Sequence, residues 1–303
     1  MKKLKKLTAL LLAVACMLTF AACGGESNET TAPAVPDETL GEQIGDVFEQ
    51  IESIGSENAG QDVGSYAEGS DADFTWETVE GGVAITAYTG TATAVTVPAQ
   101  LGGQNVVEIG EGAFANTAVT GVSLPDTVVT INKQAFYYCM ALVEVKLGSG
   151  TITIGEDAFH GCAALSNVQF NNGLKTIGES AFALNGNLKN VTIPNTVEII
   201  DEGAFILTGL SSVTIPGSVQ VVGQQAFSTC SELTEVIFES GVKMLGERVF
   251  EDCAKLTRVE IPASVESLDF GVFEYSDNVT IYAPAGSAAE AYAKENGINF
   301  QSN

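Results

Sequence analysis

The sequence predicts a repeat solenoid, a stack of short coils growing along one axis, and three observations carry that expectation. A phenylalanine returns every 22 or 23 residues, at Phe114, Phe136, Phe159, Phe182, Phe205, Phe227, Phe250 and Phe273. An aliphatic residue stands five positions before each of them, from Ile109, Ile131 and Ile154 through Ile177, Ile200 and Val222 to Leu245 and Leu268. The stretch Thr192-Ile193-Pro194-Asn195-Thr196-Val197-Glu198-Ile199-Ile200-Asp201-Glu202-Gly203-Ala204-Phe205 then recurs in near copy through most of the chain. A unit this short cannot bury its own apolar face and must stack on its neighbours. The 303 residues therefore read as one elongated domain rather than two globular ones.

Ahead of the repeats, Lys2, Lys3, Lys5 and Lys6 precede an apolar run from Leu7 to Phe20 and then Ala21-Ala22-Cys23-Gly24-Gly25. A basic start, a short apolar stretch and small residues describe a secretory signal, too short to span a membrane comfortably. Residues 1–22 are the expected signal peptide. From residue 23 to 73 the composition turns to Glu, Asp, Gly, Ser, Thr and Pro, which cannot bury enough surface to offset chain entropy. That is an acidic tether, whose fifty or so residues reach on the order of 170 Å when extended. Within it Leu40, Ile44, Val47, Phe48, Ile51 and Ile54 recur at helical spacing, with Thr39 and Glu42 placed as a capping box, so 39–54 is a candidate short amphipathic helix.

The solenoid is expected over 74–303. Phe74 to Val79 and Val83 to Tyr88 alternate as strands about Glu80-Gly81-Gly82, giving an N-terminal cap over 74–105 in which Trp76 is a packing residue. Eight repeats follow over about 106–282, each an extended segment, a turn, a second short extended segment and a tight Ala-Phe turn of helical character. Stacked extended segments make a parallel ladder with about 4.7–4.9 Å per coil. A C-terminal cap over 283–303 begins at Ser287, runs through an alanine-rich helix to Gly297, and ends in an extended Ile298-Asn299-Phe300.

Units of the form Leu-x-x-Val-x-Ile-Pro-x-x-Val-x-x-Ile-Gly-x-x-Ala-Phe-x-x-Cys resemble the BspA-like class of leucine-rich repeats found on bacterial surfaces. The resemblance includes both ends, Phe74 to Gly90 and Tyr282 to Ala293. It implies a leucine-rich-repeat right-handed superhelix, mostly short parallel strands with short helical turns and a strand ladder on the concave face. It also implies adhesion or ligand binding at the cell surface, no catalytic apparatus and no cofactor. Ala21-Ala22-Cys23 similarly resembles a bacterial lipobox, which implies a diacylglycerol thioether on Cys23 and a mature chain beginning there on the outer face of the membrane. An ordinary secreted chain is the alternative.

The chain carries 13 basic and 38 acidic residues, and loss of residues 1–22 removes four lysines and no acid. Such a charge opposes nucleic acid and anionic lipid, which need clustered Lys and Arg. The partners expected are a protein or glycan, with the membrane engaged through the lipid alone. Cys139, Cys162, Cys230 and Cys253 share one repeat position with Asn185, Thr208 and Ser276. An even number in an exported chain allows bridges, whereas a slot for single small residues favours free buried thiols. The single histidine, His160, reads as a surface turn residue, and no Gly-x-Ser-x-Gly elbow, His-Glu-x-x-His helix or P-loop is present. The glutamates at Glu111, Glu156, Glu179, Glu202 and Glu247 form a solvated edge, and no residue set suggests a metal. The candidate contact strip is the outward slot of the concave ladder, Ser123, Lys146, Gln169, Thr192, Thr214, Ile237 and Glu260, with Tyr137 and Tyr138 a second candidate. An envelope scaffold, assembled through the segment around Val47 and Phe48, is the alternative to a binding role.

Overall fold

The structure, a computed structural model, describes residues 60–303. The signal peptide, Cys23, most of the tether and the candidate helix 39–54 lie outside the described residues. The repeats form a solenoid with two parallel ladders and one column of turns. The second ladder runs from the antiparallel hairpin Phe74–Val79 and Gly82–Tyr88 through Gln104–Ile109, Thr130–Ile131, Thr153–Ile154, Thr176–Ile177, Ile199–Ile200, Val221–Val222 and Met244–Leu245 to Ser267–Leu268. The first ladder is in two pieces. Ala67–Glu68, Ala94–Thr96, Gly121–Ser123, Glu144–Lys146 and Asn167–Gln169 make one sheet; Ser212–Ile215, Glu235–Phe238, Arg258–Glu260, Thr280–Ala283 and Asn299–Ser302 make another. The folded part thus begins ahead of Phe74, since Ala67 and Glu68 pair in parallel with Val95 and Thr96.

Register follows the repeat. Thr153 and Ile154 pair with Thr130 and Ile131 on one side and with Thr176 and Ile177 on the other, so the residue five before each phenylalanine is always the inward one. Ile109, Ile131, Ile154, Ile177, Val222 and Leu245 are fully buried, as are the seven phenylalanines from Phe114 to Phe250. Their rings stack face to face, 4.8 Å apart at Phe114 and Phe136 and 5.7 Å at Phe250 and Phe273. Strands in a ladder sit about 4.7–4.9 Å apart, so the rings stack at close to the spacing of the coils that carry them. Tyr88 continues the ring column at its N-terminal end, 5.1 Å from Phe114, and Tyr292 closes it edge-on to Phe273 at the other.

The helical character of the Ala-Phe segment is confined to three-residue hydrogen bonds. The Ala113 amide donates to Gly110, Ala115 to Gly112 and Thr117 to Phe114, while the alternate amides of Phe114 and Asn116 donate across to Ala135 and Tyr137 of the next coil. That alternation requires a left-handed residue two positions either side of each phenylalanine. Glycine fills some of these sites, such as Gly112 and Gly203, but Gln134, Ser180, Leu184 and Leu207 adopt the same conformation without being glycine. Each carries a steric cost of about 1–2 kcal/mol, borne because backbone bonds to both neighbouring coils fix the turn.

The cysteine slot has a physical role beyond size. Cys139 Sγ donates to the Phe114 carbonyl at 2.9 Å, and Cys162, Cys230 and Cys253 donate to Phe136, Phe205 and Phe227, each at 3.2 Å. Asn185 Nδ2 and Ser276 Oγ make the same bond to Phe159 and Phe250. At these six positions the slot is a buried donor satisfying a carbonyl of the preceding coil, whereas Thr208 turns its hydroxyl to Phe205 of its own coil at 2.9 Å; all four thiols are free. Burial pushes the Cys139 and Cys230 thiols up to about 11. The C-terminal cap is the helix α1, Ala288–Asn296, with the Ser287 hydroxyl accepting from Glu290 and Gly297 left-handed at its end.

Candidate binding face

The first ladder has two outward slots on either side of its buried valines, exposed or half-exposed except at Ala94 and Gly121, which are covered. One carries Ala94, Gly121, Glu144, Asn167, Ser212, Glu235, Arg258 and Thr280; the other carries Thr96, Ser123, Lys146, Gln169, Thr214, Ile237, Glu260 and Tyr282. Six of the seven candidate strip residues are therefore in register. Ser123, Lys146 and Gln169 sit on adjacent strands of the N-terminal sheet, and Thr214, Ile237 and Glu260 on adjacent strands of the C-terminal one. Thr192 departs from the expectation. It is exposed, but residues 190–193 belong to no strand, so the strip is split in two at this coil.

The interruption adjoins a change of coil length. The coil beginning at Phe205 has Thr208-Gly209-Leu210 where its predecessor has Asn185-Gly186-Asn187-Leu188, one residue more. The shorter corner brings the two backbones together: a Cβ on Gly209 would lie 2.0 Å from the Gly186 carbonyl oxygen, so only glycine fits.

The charges of the strip are paired within the ladder, on their own strand or the next. Lys146 Nζ lies 3.0 Å from Glu144, and Asn167 donates to the other oxygen of that carboxylate at 2.6 Å. Arg258 pairs with Glu260 and, at 3.1 Å, with Glu235, while its guanidinium lies over the Tyr282 ring at 4.1 Å. The face thus offers hydrogen-bonding groups and two aromatic rings with little unpaired charge. Desolvation pushes the Glu144 carboxyl up, but hydrogen bonds from Tyr66, Lys146 and Asn167 outweigh it and hold the group below the usual carboxylate range.

One ring on this face, Tyr66, was not foreseen. It comes from the segment assigned to the tether, is half-buried, and donates its hydroxyl to Glu144 Oε2 at 2.7 Å. Nothing in the acidic, glycine-rich sequence around it signals a contact. The available sign is Gly121, the one glycine in a slot where the other coils carry a side chain.

The second candidate, Tyr137 and Tyr138, lies in the turn column. The two rings meet edge to face at 4.5 Å, and His160 of the next coil packs on both, 5.2 Å from Tyr137 and 5.5 Å from Tyr138. His160 is therefore largely covered rather than a free surface residue, with Nδ1 3.0 Å from Asp157. Asp157 is raised by desolvation, but its bonds from His160 and Gln134 prevail and leave its carboxyl low. The cluster locks two coils together. Among the described residues, no group of three or more His, Cys, Asp or Glu side chains is placed to hold a metal ion.

A family model for the BspA type leucine rich repeat region matches residues 107–233 and 199–287, in six copies. Among solved structures, the T. pallidum leucine rich repeat protein is 28% identical, covering 78% of this chain and 98% of that one with a TM-score of 0.55. A leucine-rich repeat protein from Bacteroides capillosus is 34% identical over 42% of this chain and 82% of its own, with a TM-score of 0.31. A leucine rich cell surface protein from Faecalibacterium prausnitzii is 18% identical, covering 79% and 95%, with a TM-score of 0.39. No curated protein matches this chain. With the matched stretches covering more than half of its length and repeats of the same form in the fold, the chain belongs to the BspA-type leucine-rich-repeat family.

Proposed function

We propose that this chain is a non-catalytic binding protein of the bacterial cell surface, held by a lipid on Cys23, extended by its acidic tether, and making contact through the outward slots of the first ladder. The partner is a protein or a glycan. The observation that carries the reading is the register of Ser123, Lys146 and Gln169, and of Thr214, Ile237 and Glu260, as two rigid rows of solvent-facing groups on a buried valine column. Extended surfaces of this kind are what solenoids use for recognition.

A second reading, an assembly scaffold, is favoured by the opposite ladder. Val129, Ile152, Ile199 and Val221 are each about two fifths exposed there, and the depression beside Ile199 and Val221 has a volume of about 400 Å³. Rows of exposed aliphatics mark contact surfaces.

One experiment separates the two. The mature chain is used to capture partners from envelope and matrix extracts, beside a variant carrying Gln169→Lys, Thr214→Lys and Ile237→Lys and another carrying Ile152→Lys and Val221→Lys. Loss of capture by the first variant alone supports the binding reading. Loss by the second alone overturns it in favour of assembly. Acyl labelling that fails to reach Cys23 overturns the anchor.

A further inference from the structure

The N-terminal part of the first ladder holds a side-chain subsite that the chain fills from within. Ala67 and Glu68 add to the edge of Ala94–Thr96 as a two-residue parallel strand, and Gly69 donates its amide to the Thr96 carbonyl at 2.9 Å. One residue before that strand, Tyr66 leaves the edge and lies across the neighbouring coils. Its ring rests on Gly121, where a Cβ would stand 2.9 Å from the phenol oxygen and 3.1 Å from Cζ, so a residue other than glycine would push the ring from its seat. Its hydroxyl meets Glu144 Oε2 at 2.7 Å, and Lys146 Nζ sits 4.4 Å from the ring centroid. A flat floor and an ion pair that sets a carboxylate acceptor at the hydroxyl and a cation over the ring are matched to a neutral phenol. A phosphorylated tyrosine would set its charge against Glu144. The strand that holds the ring in place is short, with both residues exposed, and segments secured this way open locally at little cost.

We infer that Gly121, Glu144 and Lys146 form a recognition subsite for an unmodified tyrosine carried on an extended peptide, which adds as a parallel strand to the Ala94–Thr96 edge after displacing the chain's own segment around Tyr66. The inference deepens the proposed function and rests on its reading of the first ladder as the contact face. Strand addition supplies backbone bonds common to any sequence, and the phenol supplies selection. In the free protein Tyr66 acts as an internal competitor, present at the high effective concentration of a tethered group.

The test uses the full mature chain, wild type and Tyr66→Ala, and as probe a fluorescent synthetic peptide of the chain's own residues 61–70, followed by anisotropy. The expected result is binding to the Tyr66→Ala protein at least tenfold tighter than to wild type, weakened severalfold when the peptide carries Tyr66→Phe and more when the protein also carries Glu144→Ala. An unchanged melting temperature for Tyr66→Ala shows that the fold is retained. Equal binding to both proteins, or no saturable binding to Tyr66→Ala at millimolar peptide, overturns the inference. Because the peptide replaces the natural partner, that failure is read separately from failure of the lysine variants to lose capture, which would instead overturn the contact face.

Discussion

Two columns of the same coils behave differently. The ring column runs from Tyr88 to Phe273 with every ring stacked on the next, whereas the first ladder stops after Asn167–Gln169 and resumes only at Ser212–Ile215. Both repeat at one period, yet the ring column tolerates no gap. A missing ring in a close-packed interior leaves a cavity that neighbours fill only in part. A missing ladder pair on the surface exchanges protein hydrogen bonds for bonds to water, at a small net cost. The periodic interior therefore maintains the fold, and the ladder's outward face is free to break, bend and carry differing side chains.

The largest expected effect attacks the interior column beside the interruption. Phe182→Ala should destabilise the protein by about 3–5 kcal/mol, since the ring is fully buried between Phe159 and Phe205 and is also met edge-on by Phe170. Coils in a solenoid couple only to their neighbours, and the ladder provides no pairing across residues 190–193. Calorimetry of the variant should show the single transition splitting into two. One transition with an unchanged width would mean that the second ladder alone couples the halves.

A smaller effect targets the donor slot. Ser276 Oγ donates to the Phe250 carbonyl at 2.7 Å and accepts from the Cys253 amide at 2.8 Å, in the core. Ser276→Ala leaves both groups unpaired and should cost about 1–3 kcal/mol. Ser276→Cys, which places in this coil the residue four others use, should recover part of the loss in a denaturant titration. Equal losses for alanine and cysteine would reduce the slot to a question of size.

The ladder itself is tested by hydrogen exchange. Amides of residues 190–193 should exchange at least tenfold faster than those of Glu144–Lys146 and Glu235–Phe238, because among the described residues they enter no ladder pairing. Equal protection would show that the interruption is closed in solution.

These differences also explain what was legible beforehand. The phenylalanine column, its aliphatic partner and both caps could be read from sequence, because each is a rule about which side chain faces inward. The break could not: Val191 and Ile193 keep the alternation of their neighbours, and a pattern of inward residues does not report the distance between backbones. Coil length does not report it either: Thr117-Ala118-Val119 is as short a corner as Thr208-Gly209-Leu210, yet Gly121–Ser123 beside it is paired on both sides. The strip was legible as a register, since Lys146 and Gln169 follow directly from the position of the buried valines. Tyr66 was not, because it lies outside the repeat and its partner Gly121 is informative only once the coils are stacked.

The smallest expected effect lies on the solvated edge, where repetition is a liability rather than a support. Stacking places Glu179 between Glu156 and Glu202, with Asp157 and Asp201 close by. Desolvation first, and then these like charges, raise its carboxyl above the usual range. A carboxyl whose folded pKa is raised binds its proton more tightly in the folded state. Stability is thus lost as pH climbs through the unfolded value, about 4.3, toward the folded one, and the deficit is complete above both. Glu179→Gln removes that deficit. It should stabilise the protein at pH 7 by no more than about 0.5 kcal/mol, since the side chain is exposed and screened. The gain should shrink in high salt and vanish near pH 3, where the carboxyl is protonated in both states. Melting temperatures of the two proteins across that range decide it. A gain that persists at pH 3 would trace to the amide's own contacts, and would show that stacked coils spread like charge without strain even where they cannot spare a ring.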